Sequence, residues 1–331
     1  MNRSGIEWCD HTWNPITGCL HNCPYCYAKI MVARFSGNVK RNVMETEKYK
    51  KQENLYILED PFTNETGNQV HYPFGFQPTY HRYRFDYLEK LKMGSNIFVG
   101  AMADVFGEWI PDEWIIDILE TCKRYPQHNY MFLTKNPSRY MKLAEQGILP
   151  EDNNFWYGST ITGPEDVFWW SNHHKTFVSI EPLLKPFDVV GVDTVKKVDW
   201  IIIGAETGRR KEKVVPEEKW IEDIVNDCRI AHIPIFMKES LLNIMGEEKM
   251  CKEFPEELKR REISEKVKEK LLGSCMICGK RFKKNSMVTL TARIGRRGKN
   301  RSFGHVCAEC YRGFCKKYRI EVPELEGENN G

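Results

Sequence analysis

The sequence predicts an α/β fold in which a parallel sheet covered by helices curls into a partial or closed (β/α) TIM-like barrel, followed by a small C-terminal metal-binding module. Three observations lead to this prediction. Short apolar runs recur between residues 96 and 240, each run ends in polar or glycine residues, and helical patterns separate them. No glycine-rich dinucleotide fingerprint follows any run, which favours a barrel over an open Rossmann sheet.

The first strand is predicted at WNPIT (13–17), and six further strands follow along the chain. They are NIFVGAMAD (96–104), YMFLTKNP (130–137), FWYGSTIT (155–162), TFVSIEPL (176–183), DWIIIGAET (199–207) and IPIFMKES (233–240). Near-continuous apolar runs are typical of parallel strands that are buried on both faces. With helical patterns such as DEWIIDILETCKRY and EEKWIEDIVNDCRI between them, the sequence predicts about seven strand–helix units.

The other segments complete the predicted domain organisation. A helix is predicted at YAKIMVARF (27–35). Residues 36–93 are rich in Asn, Tyr, Pro and charge without steady periodicity, which predicts an insertion or an extended loop with short helices. The predicted barrel spans 1–250, a charged helical connector spans 251–272, a basic metal module spans 273–319 and an acidic tail spans 320–331.

Length and composition set the class of protein. A chain of 331 residues with 41% hydrophobic residues can bury one large core and carry a smaller module. No apolar run approaches the roughly 20 residues that span a bilayer, and MNRSGIEWCD lacks the hydrophobic centre of a signal peptide. We therefore expect a cytoplasmic protein without a membrane partner.

Charge is distributed unevenly along the chain. Residues 273–319 contain thirteen Lys or Arg and one acid, Glu309, so this segment carries +12. The remaining 36 Lys and Arg against 45 Asp and Glu leave −9 for the rest of the chain. This asymmetry predicts that the two parts face different partners.

Three cysteines near the start, Cys19, Cys23 and Cys26 in GCLHNCPYCY, have metal-ligand spacing. Three thiolates on one tight loop suit three corners of a [4Fe–4S] cubane and leave one iron open. The alternative is a structural zinc site, for which only His11 or His21 is available as a fourth ligand. Four cysteines outside the two clusters, Cys9, Cys122, Cys228 and Cys251, are predicted to be small core or surface residues.

The spacing of these cysteines, with Tyr25 just before the last one, resembles the signature of radical S-adenosylmethionine enzymes. The resemblance implies that the three cysteines bind a [4Fe–4S] cluster whose fourth iron is chelated by the amino and carboxylate groups of S-adenosylmethionine. It implies that one electron from the reduced cluster cleaves the cosubstrate to a 5′-deoxyadenosyl radical, which abstracts hydrogen from a C–H bond. An external electron donor such as flavodoxin or ferredoxin is then a partner.

Over roughly residues 5 to 255 the chain also resembles a phage-associated family of radical SAM-like proteins of unassigned function. The stretches that carry this resemblance are IEWCDHTWNPITGC, FVGAMADVFGEWIPDEW, FLTKNPSRY, SIEPLL and DWIIIGAETG. This narrower family implies no substrate.

Polar residues at the ends of the predicted strands are expected to line one mouth of the barrel, where barrel enzymes place their chemistry. They are Asp104, Lys135, Ser159, Thr160, Glu181, Glu206 and Lys238. By the resemblance, Tyr25 packs near the adenine and Asp104 meets the methionine amino group. Ser159 and Thr160 meet the carboxylate or ribose, Glu206 meets the ribose or a substrate group, and Lys135, Glu181 and Lys238 are candidates for the substrate site.

A second cluster pairs Cys275 and Cys278 with Cys307 and Cys310, and a β-like hairpin lies between the pairs. Two such knuckles predict a four-thiolate Zn²⁺ site in a zinc-ribbon or treble-clef-like module, with an auxiliary iron–sulfur cluster as the alternative. His305 or Cys315 is available as a substitute ligand. The cationic hairpin tip predicts binding of nucleic-acid phosphates through Arg293, Arg296, Arg297, Lys299 and Arg301.

The leading functional hypothesis is therefore a radical SAM enzyme that modifies or repairs a nucleobase in nucleic acid or a nucleotide. Radical modification of a protein or peptide is the runner-up. A third hypothesis, from a different functional class, is a non-enzymatic nucleic-acid-binding protein in which both cysteine clusters only hold metal.

Overall fold

The computed structural model describes residues 4–187, 197–208 and 210–258, together with four strands between residues 272 and 307. The chain divides into two compact units, Met1–Lys259 and Arg260–Gly331. None of the described helices has the length and apolar character that crossing a membrane requires.

The first unit combines eleven strands with six α-helices within its described residues. The strands are β1 (His11–Trp13), β2 (Ile16–Thr17), β3 (Lys50–Gln52), β4 (Leu55–Leu58), β5 (Thr79–His81), β6 (Asn96–Val99), β7 (Asn129–Thr134), β8 (Phe155–Ile161), β9 (Lys175–Ile180), β10 (Trp200–Ile203) and β11 (Ile235–Met237). The helices are α1 (Tyr27–Phe35), α2 (Val39–Met44), α3 (Asp112–Lys123), α4 (Pro137–Glu145), α5 (Glu218–Ala231) and α6 (Leu242–Met245). Short 3-10 helices span Thr46–Lys48, Arg82–Lys90, Glu239–Leu241, Glu247–Lys249 and Glu256–Leu258.

Seven strands form one parallel sheet in the order β1-β6-β7-β8-β9-β10-β11, and the sheet curls into a half-barrel. The mixed α/β class and the parallel sheet are confirmed. Strands β1 and β11 are the edges, so the described residues form the partial barrel and not the closed one. All seven strands run the same way, so their carboxyl ends meet at one rim.

The prediction of a single first strand at 13–17 was wrong. Strand β1 ends at Trp13, and after Asn14 and Pro15 the chain enters β2, which belongs to a different sheet. Proline has no N–H to donate to a sheet ladder, so Pro15 ends the pairing with β6.

The predicted insertion at 36–93 contributes β3, β4 and β5 to an ordered four-stranded sheet, in the order β2-β5-β4-β3, which the sequence did not predict. Its strands have at most four residues, too few to show a periodic pattern. Aromatic packing stabilises this sheet: Tyr56 stacks on Phe74 with ring centroids 4.0 Å apart, and Phe62 packs against the edge of Phe74.

The helices predicted at 27–35, 112–125 and 217–230 are confirmed as α1, α3 and α5. Helix α3 shows why: Asp112 and Glu113 occupy its first turn and Lys123 its last, which complements the helix dipole. Its Ile115, Ile118 and Cys122 are buried on one face against the sheet. Seven complete strand–helix units are not present, because residues 162–174 connect β8 to β9 without a helix.

Large side chains fill the concave face of the half-barrel. Those that are buried together are Trp8, Phe98, Met131, Trp156, Phe177, Trp200, Ile202, Phe236 and Leu258. They are contributed mostly by alternate positions of neighbouring strands, as the two-residue period of a strand requires.

Residues 253–258 close the amino-terminal end of the half-barrel. Trp200 Nε1 donates to the carbonyl of Glu253 at 3.0 Å, and Asn96 Nδ2 donates to the carbonyl of Leu258 at 2.7 Å. The first part of the predicted charged helical connector is thus part of the barrel core, because Phe254 and Leu258 pack on Trp200 and its neighbours. The open end of the barrel is the opposite one.

In the second unit the structure describes β12 (Leu272–Ser274) antiparallel to β13 (Arg281–Lys283), and β14 (Met287–Ile294) antiparallel to β15 (Lys299–Cys307). The predicted hairpin between the cysteine pairs is therefore confirmed as β14 and β15.

Candidate functional site

The cysteine loop leaves the sheet at Gly18 and ends where α1 begins. Gly18 has φ +87°, and a Cβ there would lie 2.3 Å from the carbonyl oxygen of Gln77, so glycine alone fits. The Gly18 N–H donates to the carbonyl of Met102 at 2.9 Å, and the Cys19 N–H donates to that of Phe76 at 3.2 Å. The loop is thus fixed on two sides before its first cysteine.

Cys19, Cys23 and Cys26 all line one cavity of about 260 Å³ at the carboxyl ends of the parallel strands. Burial, together with the negative charges of Asp104, Cys23 and Cys26, raises the pKa of the Cys19 thiol to about 12. Burial also raises the pKa of Cys23, and the positive charge of the nearby Lys135 opposes part of this rise. The three thiols are therefore close enough to influence one another electrostatically.

Polar side chains from six strand ends share this cavity with the cysteines. Of the residues that the sequence placed at the barrel mouth, those that line the cavity are Asp104, Lys135, Thr160, Glu181, Glu206 and Lys238. Ser159 does not line it: this side chain is fully buried, and its Oγ accepts a hydrogen bond from Trp169 N at 3.0 Å. Successive residues of a strand point to opposite faces, so Thr160 and Ser159 cannot both face the cavity.

Asp104 fastens the cysteine loop to the sheet. One carboxylate oxygen pairs with His21 Nε2 at 2.7 Å and accepts hydrogen bonds from Thr134 Oγ1 at 2.9 Å and Lys135 N at 3.0 Å. The other oxygen accepts from Phe106 N at 3.0 Å. With four partners and 5% exposure, this carboxylate holds His21 between Cys19 and Cys23. The geometry favours this positioning role over the predicted contact with a methionine amino group.

Tyr25 and Lys135 lie together beside Cys23. The Tyr25 hydroxyl hydrogen-bonds the Cys23 thiol, and burial raises the pKa of Tyr25. Lys135 Nζ lies 5.4 Å from the centroid of the Tyr25 ring, and burial lowers the pKa of Lys135 while Cys23 raises it. A cation and an aromatic ring thus flank the second thiol of the loop.

Two ion pairs involve carboxylates that line the cavity. Glu181 Oε1 lies 2.5 Å from Lys238 Nζ, and a Cβ at Gly204 would approach that carboxylate oxygen to 2.9 Å, so Gly204 leaves room for the pair. Glu206 is 3% exposed and binds Arg210 through both carboxylate oxygens at 2.7 Å. The hydrogen bonds from Arg210 hold the pKa of Glu206 below its usual range.

The described donor groups at this cavity are not gathered around one metal position. Within the described ranges, which include Cys19, Cys23 and Cys26, no three His, Cys, Asp or Glu side chains are arranged to hold one metal ion. A zinc site needs each sulfur within about 2.3 Å of one point. A cubane binds each cysteine to a different iron, so its sulfurs are spaced farther apart on a loop of this kind.

The rest of the lining fits a small organic ligand. Apolar groups such as Ile6, Phe98 and Leu133 surround the polar strand ends, as in most cofactor sites. Trp8 also lines the cavity, and in the part of the chain that the structure describes its buried indole N–H has no hydrogen-bond partner. The indole nitrogen itself is buried, so the lining from Trp8 is its apolar ring.

The residues of the second predicted site fall mostly outside the described residues. This applies to Cys275, Cys278, Cys310, Cys315, Arg296 and Arg297. Arg293 lies near the end of β14, opposite Asn300, and Lys299 and Arg301 lie at the start of β15. Cys307 is the last residue of β15, and His305 is paired in register with Thr289. The zinc site stays a prediction.

A family model described as "Protein of unknown function (DUF5131)" matches residues 3–268, which is most of the chain. The chain belongs to the DUF5131 family. No curated protein and no solved structure matches this chain. Membership in DUF5131 thus groups the chain with relatives, and the description of the family assigns no activity to it.

Three cavity residues of this DUF5131 chain were not predicted as site residues from the sequence. The sequence indicates His21 only as a zinc ligand and gives no signal for Trp8 or Tyr27, and all three line the cavity. Tyr27 begins α1, and its hydroxyl donates to the carbonyl of Ala101 at 2.7 Å. The only sequence signal for His21 was its position between two cysteines, because its partner Asp104 lies 83 residues away along the chain.

Proposed function

We propose that this protein is a radical S-adenosylmethionine enzyme whose [4Fe–4S] cluster is held by Cys19, Cys23 and Cys26. The observation that carries the proposal is that all three thiols line one cavity at the carboxyl rim of a curled parallel sheet, among the polar ends of six strands. When bound, the cluster supplies one electron that cleaves the sulfur–C5′ bond of S-adenosylmethionine, giving methionine and a 5′-deoxyadenosyl radical.

In this proposal, residues of the chain position the cysteine loop and bind the cosubstrate. Asp104 and His21 hold the loop between its first two cysteines, and Gly18 lets the loop pass close to Gln77. Tyr25 and Lys135 lie beside Cys23, where they would contact a bound cluster or the adenine of the cosubstrate. Thr160, which lines the cavity, offers its hydroxyl to the cosubstrate.

The ion pairs Glu181–Lys238 and Glu206–Arg210 are the candidate contacts for the substrate, because Glu181, Lys238 and Glu206 line the same cavity as the three thiols. Each pair offers both a donor and an acceptor, which suits a group that carries both kinds of hydrogen-bonding atoms, such as a nucleobase.

A nucleobase or nucleotide is the proposed substrate class. The support is the charge of +12 over residues 273–319 and the hairpin β14–β15, whose strands carry Arg293, Lys299 and Arg301. Phosphate contacts of this kind position a nucleic acid without reading its sequence. A base inside a duplex has to leave the stack to reach a buried radical.

The test is anaerobic reconstitution of the full chain with iron and sulfide, followed by dithionite and S-adenosylmethionine. We expect about four irons per chain by cubane stoichiometry, and 5′-deoxyadenosine as a product. Cys23→Ala should lose both the cluster absorbance and the product. The matched control is Cys251→Ala, because Cys251 is also a free, half-buried cysteine of the first unit but lies outside the cavity.

A colourless protein that binds only zinc and releases no 5′-deoxyadenosine would contradict the proposal. It would favour the alternative of a metal-stabilised nucleic-acid-binding protein. Equal iron content and equal product in Cys23→Ala and in the wild type would also contradict it, because the cluster would then lie elsewhere.

A further inference from the structure

Helix α1 presents large apolar side chains to solvent and buries small ones. Ala28 and Val32 are its buried residues, at 5% and 1% exposure. Tyr27, Ile30, Met31 and Phe35 are 51%, 58%, 40% and 51% exposed, and we call these four residues the α1 face. Residues spaced by three and four lie on the same side of a helix, so the four form one stripe. An apolar stripe of this kind marks an interaction surface.

We propose that the α1 face is the docking surface for an acidic protein that donates single electrons to the cysteine loop. This inference rests on the proposed function, because it assigns a partner to the same site. The donor is oxidised by one electron and the cluster is reduced by one, so each turnover of cosubstrate cleavage requires one productive encounter.

The position of the α1 face supports this assignment. Cys26 is the N-cap of α1, and Tyr27 and Ala28 line the cavity that contains the three thiols. At about 1.5 Å per residue, the nine-residue helix places even Phe35 only about 14 Å along the axis from Cys26. A partner seated on the α1 face is therefore close to the cysteine loop.

The charge around the α1 face selects an acidic partner. Residues 11–44 contain Lys29, Arg34, Lys40 and Arg41 but no Asp or Glu. Lys29 and Arg34 belong to α1 itself. Arg41 pairs with Glu65, which leaves Lys29, Arg34 and Lys40 as the cations of this region, although the chain outside residues 273–319 carries −9. Complementary charge of this kind raises the association rate of a partner and orients it.

The start of α2 stays beside the end of α1. Asn42 Nδ2 donates to the carbonyl of Ser36 at 3.0 Å and to that of Pro73 at 2.9 Å, and Asn42 is buried. Lys40 of α2 is consequently held near the end of α1, whereas Arg41 pairs with Glu65. Arg34 and Lys40 thus lie at one end of the apolar stripe.

The composition of the α1 face favours a protein over a nucleic acid. Protein–DNA interfaces are more polar and more positive than protein–protein interfaces. The stripe consists of aliphatic and aromatic side chains with Arg34 as the cation next to Phe35, an arrangement closer to the apolar centre and charged rim of a protein interface. Electron-transfer complexes are small and transient, so a nine-residue helix is sufficient for one.

The test separates electron delivery from cosubstrate cleavage. The reconstituted full chain is assayed for 5′-deoxyadenosine with dithionite as reductant, and separately with flavodoxin that NADPH and flavodoxin reductase keep reduced. For Ile30→Glu we expect unchanged product with dithionite but a roughly fivefold to tenfold lower rate at limiting flavodoxin, the size of a loss expected for an interface anchor. Arg34→Glu should behave in the same way and should flatten the dependence of the flavodoxin rate on salt.

The matched control is Ile230→Glu. Ile230 is 63% exposed on α5 and Ile30 is 58% exposed on α1, so both substitutions place the same charge at an exposed isoleucine of a helix. Ile230→Glu should leave both reductant assays unchanged. If Ile30→Glu lowered the dithionite and flavodoxin rates equally, its effect would be structural and the docking surface would be rejected.

Other outcomes would show that the α1 face has no partner or binds a different one. Equal flavodoxin rates in the wild type and in both α1 variants would overturn the inference while leaving the proposed function intact. A dimer in the wild type that becomes a monomer in Ile30→Glu, or weaker nucleic-acid binding with an unchanged flavodoxin rate, would assign the α1 face to another occupant and overturn it. Absence of 5′-deoxyadenosine from the wild type with dithionite would overturn the proposed function, and this inference with it.

Discussion

Asp104 connects three parts of the candidate site through one carboxylate. It binds His21 of the cysteine loop, Thr134 and Lys135 at the end of β7, and the N–H of Phe106 in its own loop. A buried carboxylate with four donors is a strong constraint, because each donor is left without its acceptor if the carboxylate is removed. The loop geometry therefore depends on a residue far from the cysteines in sequence.

We predict that Asp104→Asn destabilises the first unit by about 1–3 kcal/mol, because the amide NH₂ must face at least one donor that the carboxylate accepted. The control is Asp117→Asn, because Asp117 is exposed and accepts from Tyr80 Oη at 2.9 Å. The amide oxygen can still accept that hydrogen bond, so the control should cost less than about 1 kcal/mol. Urea unfolding of both variants measures the difference, and equal destabilisation would show that Asp104 does not constrain the loop.

His81 of β5 makes the small four-stranded sheet sensitive to acid. Its Nε2 lies 2.8 Å from Thr17 Oγ1 of β2, and the residue is fully buried. Burial holds the pKa of His81 well below its usual value of 6.5, and the positive charge of Arg84 lowers it further. The folded chain therefore keeps this imidazole neutral at a pH at which the unfolded chain protonates it.

We predict that the stability advantage of the wild type over His81→Gln falls as pH drops below 6.5. The unfolded state then binds one more proton than the folded state, so stability decreases by up to about 1.4 kcal/mol per pH unit until the folded pKa is reached. Chemical unfolding at pH 7.5, 6.5, 5.5 and 5.0 measures this slope. A constant difference between the two proteins across this range would show that His81 does not control the response.

At the level of elements, the same small sheet bears on the cysteine loop. Strand β2 pairs with β5 immediately before Gly18, and the Cys19 N–H donates to the carbonyl of Phe76, which precedes β5. The sequence predicted the loop and α1 correctly because each is local in the chain. It did not predict that residues 50–81 fold into strands that support the loop, because that support comes from pairing between distant segments.

At the level of the whole molecule, the two units differ in charge and in the chemistry proposed for them. The hairpin β14–β15 carries Arg293, Lys299 and Arg301 on paired strands, with Ala292 opposite Arg301. A cation that binds a phosphate releases counterions from the nucleic acid, so removing that cation should reduce the salt dependence of binding in addition to the affinity.

We predict that the triple variant Arg293→Ala, Lys299→Ala and Arg301→Ala binds duplex DNA more weakly and with a salt slope smaller by about 0.9 for each phosphate that the variant no longer neutralises. The control removes three exposed lysines of the first unit, Lys51, Lys92 and Lys142, and should leave the slope unchanged. Fluorescence anisotropy from 50 to 300 mM salt measures both. Cosubstrate cleavage with dithionite should be equal in the wild type and in both triple variants. If the two triple variants bound DNA with equally reduced affinity, the hairpin would have no special role in binding.

The sequence by itself determined the parallel sheet, the helices α1, α3 and α5, the cysteine loop and the strand ends that line the cavity. These features follow from hydrophobic periodicity and from short-range spacing, which depend on neighbours in the chain. Only the tertiary structure decided that Thr160 faces the cavity and Ser159 does not, that Asp104 holds His21, and that α1 leaves its larger side chains exposed. The orientation of a side chain and its partners depend on the packing of segments that are distant in sequence, which no local pattern records.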